Sequence, residues 1–350
     1  MAYTTINKST DYFNTKLYTG NGGTQSITGV GFTPSFTWIK GRTSQEYDHQ
    51  LYDAVRGVTK AIASNSGDAE ATESTSLTSF DSDGFSLGSF GRTNSSGHNK
   101  ASWNWKANGQ GSANTAGSIN TTYTSANTTS GFSICQWTGT QSTGTIAHGL
   151  NRVPKIYFVK NLDTTDSWNV FAKTGYMDEN YRLLLDTTGV RISDSDAWNS
   201  QVPTSSLFTV GSNTGTNKSG SSLIAYVFAE VKGFSKFGEY IGNGNADGAF
   251  IYTGFKPAMV ILKRVSGSAG DWLIFDNKRN PFNGVDERLY PNGNYAEENS
   301  TTTVVDFVSN GFKLKGLNSN AWNTSSNYYI YMAFAEAPLV GSNNVPCTAR

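Results

Sequence analysis

Two tryptophans in polar loops are the residues with the clearest chemical signature. Trp198 and Trp322 each lie in a Ser-Asp/Asn-Ala-Trp-Asn string, so Asn199 and Asn323 follow them directly. An indole ring can stack on the C–H face of a sugar while a neighbouring amide binds its hydroxyl groups. These four residues are therefore candidate contacts to a glycan or to another partner. The alternative, which we favour, is that each tryptophan folds back as a lid on its own β-sandwich.

The residue types that commonly bind metals do not form a metal motif. Residues 81–84 start like a calcium loop, but an EF-hand needs a further ligand at its fifth position and a glutamate at its twelfth. Those positions hold Phe85 and Arg92. The three histidines fall in separate polar loops without metal-ligand spacing, so we expect them in loops or at the surface. They are His49, His98 and His148. We expect no metal and no cofactor.

The hydroxyl and carboxyl residues do not form a recognisable catalytic arrangement. The G-x-S-x-G string at 84–88 follows a hairpin signal, so it is not the strained strand-to-helix elbow that exposes a nucleophilic serine. The glycine-rich strings at 20–23 and 242–245 complete neither a dinucleotide fingerprint nor a P-loop. The acid pairs at 178–179 and 297–298 could serve a glycosidase, but adjacent acids in a polar loop usually point apart. We expect no enzyme activity, with a glycan-degrading enzyme as a remote alternative.

The composition argues against several classes of protein. Twenty-seven basic and 27 acidic residues cancel, which leaves no basic field for a phosphate backbone and disfavours nucleic-acid binding. No apolar run approaches the ~18 residues of a membrane span, and the N-terminus lacks the apolar core of a secretory signal. Cys135 and Cys347 are too isolated for a disulfide framework. Charged residues are only 15% of the chain, so Ser, Thr, Asn and Gly supply its polarity. That pattern is typical of short strands with many turns.

Three related units follow one another along the chain. A Gly-Phe-Ser string at 131–133 recurs at 233–235. Each unit contains an apolar strand led by proline and ends on a similar aromatic strand. The proline-led strands lie at 34–40, 154–160 and 257–263, and the closing strands lie at 102–106, 224–230 and 331–336.

These repeats predict a chain divided into units of about a hundred residues. The stretch between the first two units is dominated by Gly, Ser, Asn and Thr, which is typical of a linker. The predicted divisions are repeat 1 at 1–110, a linker at 111–130, repeat 2 at 131–233, repeat 3 at 234–339 and a C-terminal tail at 340–350.

Each unit is predicted to consist of β-strands. The proline-led strands are rich in β-branched and aromatic residues, and Asp83-Gly84 and Asn310-Gly311 are strong hairpin signals. Only residues 47–63 could form a helical turn. The predicted fold class is all-β, with three tandem antiparallel β-sandwiches of the jelly-roll kind. The sequence leaves open whether they form a row or a pseudo-threefold cluster.

Several longer strings resemble a domain that is repeated in virion structural proteins of tailed phages, notably marine phages and cyanophages. The strings are GFTPSFTWIK (31–40), LYDAVRG (51–57), SFDSDGFSLG (79–88), GDWLIFDNKR (270–279) and YMAFAEAPLVG (331–341). The resemblance covers roughly residues 15–350. It implies a virion location and a structural role, usually labelled tail fibre or virion structural protein, and it transfers no catalytic residues.

The resemblance leaves two roles open for a non-enzymatic virion protein. A tail fibre or appendage that attaches to the host comes first, with other virion proteins and a host surface glycan as partners. A capsid or neck decoration protein is the alternative, because the sequence has no heptad shaft and its repeats begin near residue 15. We expect a homo-oligomer, with a trimer as the first choice, and no membrane insertion.

Overall fold

The strand-rich pattern of the sequence is borne out in a computed structural model, which describes residues 4–43, 47–300, 302, 304–316 and 322–338. Strands account for 46% of the residues and helices for 5%, arranged in several antiparallel sheets, so the predicted all-β class is confirmed. Within the described residues, no helix is long and apolar enough to cross a membrane.

The first segment of the fold holds a six-stranded sheet facing a three-stranded one. Residues 47–63, where a helical turn was possible, lie partly in two strands instead. The large sheet has the order β1-β9-β3-β4-β5-β6 and the small one β2-β8-β7. The elements are β1 (Phe13–Thr19), β2 (Gln25–Thr28), β3 (Phe36–Gly41), β4 (Gln50–Asp53), β5 (Gly57–Ile62), β6 (Ala71–Thr72), β7 (Leu77–Asp81), β8 (Gly84–Leu87), α1 (Gly91–Asn94) and β9 (Asn99–Trp105), preceded by a 3₁₀ turn (Ser9–Asp11).

The second segment holds an eight-stranded sheet and a two-stranded one. Their orders are β10-β11-β12-β19-β14-β15-β16-β17 and β13-β18. The elements are β10 (Ser112–Asn114), β11 (Thr121–Asn127), β12 (Phe132–Thr138), β13 (Gly144–Ala147), β14 (Pro154–Asn161), β15 (Asn169–Ala172), β16 (Tyr181–Leu184), β17 (Ile192–Ser193), α2 (Ser195–Trp198), β18 (Leu207–Val210), α3 (Thr214–Asn217) and β19 (Ser222–Ala229).

The third segment repeats the plan with a four-stranded sheet, β20-β26-β22-β23, and a three-stranded sheet, β21-β25-β24. In all three segments the last strand pairs on one side with the proline-led strand, and on the other side with β1, β12 or β20. The elements are β20 (Ser235–Ile241), β21 (Asp247–Tyr252), β22 (Phe255–Arg264), β23 (Trp272–Asp276), β24 (Val304–Val308), β25 (Gly311–Lys315) and β26 (Tyr328–Pro338).

The stretch 111–130, expected to be a linker, is part of the second segment instead. It supplies β10 and β11, and β11 pairs with β12 from Phe132 to Trp137. Threonine has a good β-propensity, and a strand near a sheet edge needs few apolar side chains. The Thr121 and Thr124 hydroxyl groups, 2.8 Å apart, add a cross-link within this polar strand. A composition typical of a linker therefore belongs here to two strands at a sheet edge.

Both predicted hairpins are confirmed. β7 pairs with β8 and β24 pairs with β25, and the two-residue turns are 82–83 and 309–310, one position before the predicted Asp-Gly and Asn-Gly pairs. The glycine of each pair has a further role, because it lies against the neighbouring strand of the small sheet. A Cβ on Gly84 would lie 1.9 Å from the Ile27 carbonyl oxygen, and one on Gly311 would lie 2.1 Å from that of Ile251. Glycine is therefore required at both positions by a close backbone approach.

The proline-led strands β3, β14 and β22 lie at the centre of the fold and are buried along nearly their whole length. One face of each packs on the small sheet of its own segment. The other face belongs to an apolar cluster shared by all three segments. The ring of Phe334 in the third segment lies 5.0 Å from Phe13 in the first and 5.9 Å from Phe228 in the second. The three large sheets therefore meet on one aromatic core.

Candidate functional site

Trp198, one of the predicted glycan contacts, is fully buried at the end of α2. The Asp194 carboxylate caps this short helix by accepting hydrogen bonds from the backbone N–H groups of residues 196 and 197. The indole N–H of Trp198 donates to the Tyr181 carbonyl oxygen over 3.1 Å. Its ring lies edge-on to Tyr157 at 5.0 Å. Asn199 is exposed, but the indole face beside it is not.

Trp322 is buried in the same way, with 1% of its surface exposed. Its ring stacks on Phe275 at 5.8 Å, and its carbonyl oxygen accepts a hydrogen bond from the Tyr240 hydroxyl. Asn323 is buried as well. The expectation of a glycan contact through Trp198 or Trp322 is therefore corrected: neither indole face reaches solvent, and both tryptophans are lids, as in the alternative interpretation.

Asn323 belongs instead to a set of three buried asparagines that join loops within each segment. Its Nδ2 donates to Asn243 Oδ1 (2.8 Å) and to the Asn245 carbonyl oxygen (2.9 Å), while its Oδ1 accepts from the Asn243 N–H. Asn94 and Asn217 bind the corresponding loops of the first and second segments. Sequence reasoning missed this role, although all three lie five positions before the first residue of the last strand of their segment.

A buried acid joins the first segment to the second. Asp53 accepts hydrogen bonds from the Tyr226 hydroxyl (2.7 Å) and from Arg56 Nε (2.5 Å). The Arg56 guanidinium also lies 3.3 Å from the same hydroxyl oxygen and 3.2 Å from Glu70. The side chains of Asp53 and Arg56 are at most 1% exposed, so the pair is screened little by salt.

The third segment is joined to the first by the same arrangement. Asp276 accepts from the Trp103 indole N–H (3.0 Å) and from Arg279 Nε (2.6 Å). Arg279 continues to Glu297, which also accepts from Arg42 of the first segment. Removing one partner of a buried pair typically costs about 3–5 kcal/mol, because the other charge stays buried. These two junctions therefore hold the segments in a fixed orientation.

Three lysines close the contacts into a ring. Each is the lysine that ends a proline-led string in the sequence, and each is buried. The ammonium group of each lysine donates to a backbone carbonyl oxygen of another segment. The lysine of the first segment contacts the third segment, that of the second contacts the first, and that of the third contacts the second. The bonds run from Lys40 to Asn294 (2.8 Å), from Lys160 to Gly67 (2.9 Å) and from Lys263 to Thr188 (2.9 Å). The segments thus form a closed ring of contacts and not a row.

Burial lowers the pKa of Lys263 to about 7 and that of Lys160 to about 8. Lys263 has two carbonyl acceptors, those of Thr188 and Gly270. A neutral amine has two N–H groups and an ammonium has three. The contact between the third and second segments can therefore persist whether or not Lys263 is protonated.

All three histidines lie in loops, as expected, but two of them are buried and not at the surface. His49 Nδ1 accepts a hydrogen bond from the Trp38 indole N–H over 2.8 Å. His148 Nδ1 accepts from the Leu150 N–H, and burial lowers the pKa of His148 to about 4. A ring nitrogen that accepts from a fixed N–H is unavailable to a metal. Among the described residues, no group of three or more His, Cys, Asp or Glu side chains is placed to hold one.

The adjacent acids Glu297 and Glu298 point apart, as expected. Glu297 binds the two arginines at the junction of the first and third segments, and Glu298 accepts from Arg288 and from the Tyr290 hydroxyl. The two carboxylates therefore have separate structural partners. This arrangement differs from the facing pair that a glycosidase needs.

A match to a protein family spans the three segments described above. No curated protein matches the chain, and no solved structure matches it. One family model does match, and it covers residues 8–338, which include all three segments and their junctions. The chain belongs to the family described as "Domain of unknown function (DUF7483)".

Proposed function

We propose that this protein is a non-enzymatic structural component of a tailed-phage virion, acting in a tail fibre or short appendage that attaches to the host. The observation that carries the proposal is the use of the buried charged groups. Asp53, Asp276, Lys160 and Lys263 all bind across segment boundaries, where they hold three sandwiches in one block. The virion assignment is supported by the strings that resemble tailed-phage structural proteins.

A rigid block of this kind suits a particle that must keep its shape outside a cell. Buried ion pairs and hydrogen bonds are screened little by salt, so the junctions tolerate changes in ionic strength. The chain carries a formal net charge of zero and is rich in hydroxyl and amide side chains. A protein of this composition packs against other virion proteins through hydrogen bonds. We propose a homo-oligomer, with a trimer first, as the form that enters the particle.

Capsid or neck decoration is the second candidate, and one observation favours it. The two loop tryptophans that pointed to receptor binding are buried, so they supply no contact to a host glycan. A decoration protein needs only rigid packing on the particle. Both roles, tail appendage and capsid or neck decoration, use the same rigid block of three sandwiches. They differ in where on the particle the block is attached.

Labelling intact particles tests both roles. Antibodies against the purified protein are bound to phage particles whose genome encodes it and located by electron microscopy. Signal at the tail supports an appendage, and signal over the capsid or neck supports decoration. Particles that carry no signal, while the same antibodies detect the protein in infected cells, would refute the virion proposal.

A further inference from the structure

Six asparagines in the chain are followed directly by a glycine. In such a pair the backbone nitrogen of the glycine can attack the side-chain amide carbon of the asparagine, because glycine has no side chain to hinder the approach. The attack requires an asparagine side chain that can turn toward that nitrogen, so the fold decides which pairs react. The six are Asn21, Asn108, Asn243, Asn283, Asn292 and Asn310.

Two of these asparagines lie in equivalent loops of the first and third segments, and both atoms of each amide are hydrogen-bonded. Asn21 Oδ1 accepts a hydrogen bond from Asn94 (3.0 Å), and Asn243 Oδ1 accepts one from Asn323 (2.8 Å). The Nδ2 of each residue donates to a nearby backbone carbonyl oxygen. Both residues are exposed, so exposure alone does not release the side chain. Each amide must break hydrogen bonds before it can turn toward the following glycine.

Two more asparagines are fixed within the third segment. Asn283 exchanges two hydrogen bonds with the backbone of Phe307, at 2.9 and 3.0 Å. Asn292 accepts a hydrogen bond from the Trp272 N–H (2.7 Å) and donates one to the Asp271 carboxylate (2.7 Å). Four of the six asparagine side chains are therefore held in place by hydrogen bonds at both ends of the amide.

Asn108 differs from these four in having an amide that is not held. It lies exposed in the connection between β9 and β10, and its side chain makes no hydrogen bond to any residue that the structure describes. Gly109 is exposed as well, and its N–H donates a long hydrogen bond, 3.3 Å, to Ser35 Oγ. A Cβ on Gly109 would meet no other atom within 4 Å, so the attacking nitrogen lies in open space. Both reacting groups are therefore accessible.

Asn310 also lacks a side-chain hydrogen bond to the described residues, but the glycine after it is fixed. Gly311 is buried in β25, where it pairs with Val308 and lies against the Ile251 carbonyl oxygen. The Asn310 carbonyl oxygen accepts hydrogen bonds from the N–H groups of residues 253 and 254. A ring formed on the Gly311 nitrogen would disturb this strand pairing. This pair should therefore react slowly.

We propose that Asn108 is a site of spontaneous deamidation in the folded protein. The Gly109 nitrogen forms a bond to the side-chain amide carbon of Asn108 and loses its proton, while the side-chain nitrogen leaves as ammonia. Water then opens the resulting succinimide ring at one of its two carbonyl groups. The products are aspartate and isoaspartate, and each carries a new negative charge.

The modification falls where the chain passes from the first segment to the second. The Asn108 N–H donates to Ser125 Oγ over 2.9 Å, and the Ser125 hydroxyl donates to the Gly109 carbonyl oxygen over 2.7 Å. Ser125 lies on β11 of the second segment, whereas Ser35 lies just before β3 of the first. Isoaspartate adds one methylene group to the backbone between these contacts. Deamidation therefore changes both the length and the charge of the connection between two segments.

Peptide mapping of the folded full chain tests the site. The protein is kept in mildly alkaline buffer, since the attacking amide nitrogen must lose a proton, and samples taken at intervals are digested and sequenced by tandem mass spectrometry. We expect Asn108 to be converted at least about tenfold faster than the four fixed asparagines, because a fixed side chain must first break hydrogen bonds. Isoaspartyl methyltransferase with a labelled methyl donor should mark the same peptide.

The same time course in concentrated guanidinium chloride is the control. Unfolding removes the hydrogen bonds, so all six pairs should then react at similar rates. In folded Asn108→Gln the methyltransferase signal should fall to background, because glutamine would have to form a larger ring. This change is at an exposed side chain and should leave the fold intact.

Three results would overturn the proposal. One is a folded chain in which Asn108 stays unmodified. Another is a folded chain in which the fixed asparagines are converted as fast as Asn108. The third is an unfolded chain in which Asn108 keeps its lead, since the sequence and not the fold would then set the rate.

Discussion

Replacing Tyr226 by phenylalanine isolates one hydroxyl group at the junction of the first two segments. The change keeps the ring and its packing in the common core. It removes the hydrogen bond to Asp53 (2.7 Å) and the 3.3 Å contact to Arg56. Asp53 keeps its bonds to Arg56 and to the N–H of Val55, so it is not left without a partner. A hydrogen bond to a charged group contributes about 1.5–3 kcal/mol. Because Asp53 keeps its other hydrogen-bond partners, we expect the free energy of unfolding to fall by about 2 kcal/mol, within that range.

Tyr157→Phe is the matched control. Tyr157 is fully buried in the same large sheet, but its hydroxyl group has no hydrogen-bond partner. Removing an unpaired buried hydroxyl should leave stability unchanged or raise it slightly. Urea unfolding of both variants, compared at equal m-value, measures the two free energies. Equal losses in the two variants, or no loss in Tyr226→Phe, would refute the claim that this hydroxyl joins the segments.

Three further changes probe the lids, the loops and the pH dependence. Trp198→Ala should cost about 3–5 kcal/mol of stability in urea unfolding, as for a buried aromatic; a loss under about 1 kcal/mol would mean a surface ring. Asn323→Ala should cost about 1–3 kcal/mol, because it leaves buried loop groups unpaired. The control Asn180→Ala, at an exposed side chain, should stay within about 0.5 kcal/mol. For His148, the folded-state pKa of about 4 lies below the ordinary value of about 6.5, so between these pH values the unfolded chain binds more protons. The free energy of unfolding should therefore decrease as the pH is lowered through that window, by up to about 3 kcal/mol more in the wild type than in His148→Gln; identical pH profiles would contradict a neutral buried ring.

Local patterns in the sequence were enough to predict the strands and the hairpins. Asp83-Gly84 and Asn310-Gly311 predicted the two hairpins, although the two-residue turns lie one position earlier, at 82–83 and 309–310. The apolar runs after Pro154 and Pro257 predict buried strands, since no alternation of polar residues interrupts them, whereas Ser35 and Thr37 alternate with apolar residues after Pro34. Periodicity does not reveal what covers the second face of such a strand. In this fold the second face is covered by the other two segments.

The side chains that hold the segments together were visible in the sequence but not interpretable. Lys40, Lys160 and Lys263 recur at the end of equivalent strings, yet a lysine after an apolar run usually reaches solvent. Their acceptors come from loops in other segments, at positions that no local rule connects. Trp198 was a candidate glycan contact because its neighbours in the sequence are polar. Polar neighbours, however, do not determine where a large aromatic ring packs. A short helix turns its indole into the sandwich.

Scanning calorimetry of the full chain tests the central claim, that the three sandwiches form one closed block. The common aromatic core and the junctions at Asp53, Asp276 and the three lysines require the segments to unfold together. The expected result is a single transition whose calorimetric enthalpy equals its van't Hoff enthalpy. Two or three resolved transitions, or a calorimetric enthalpy several times the van't Hoff value, would contradict this claim. They would show that the sandwiches unfold independently.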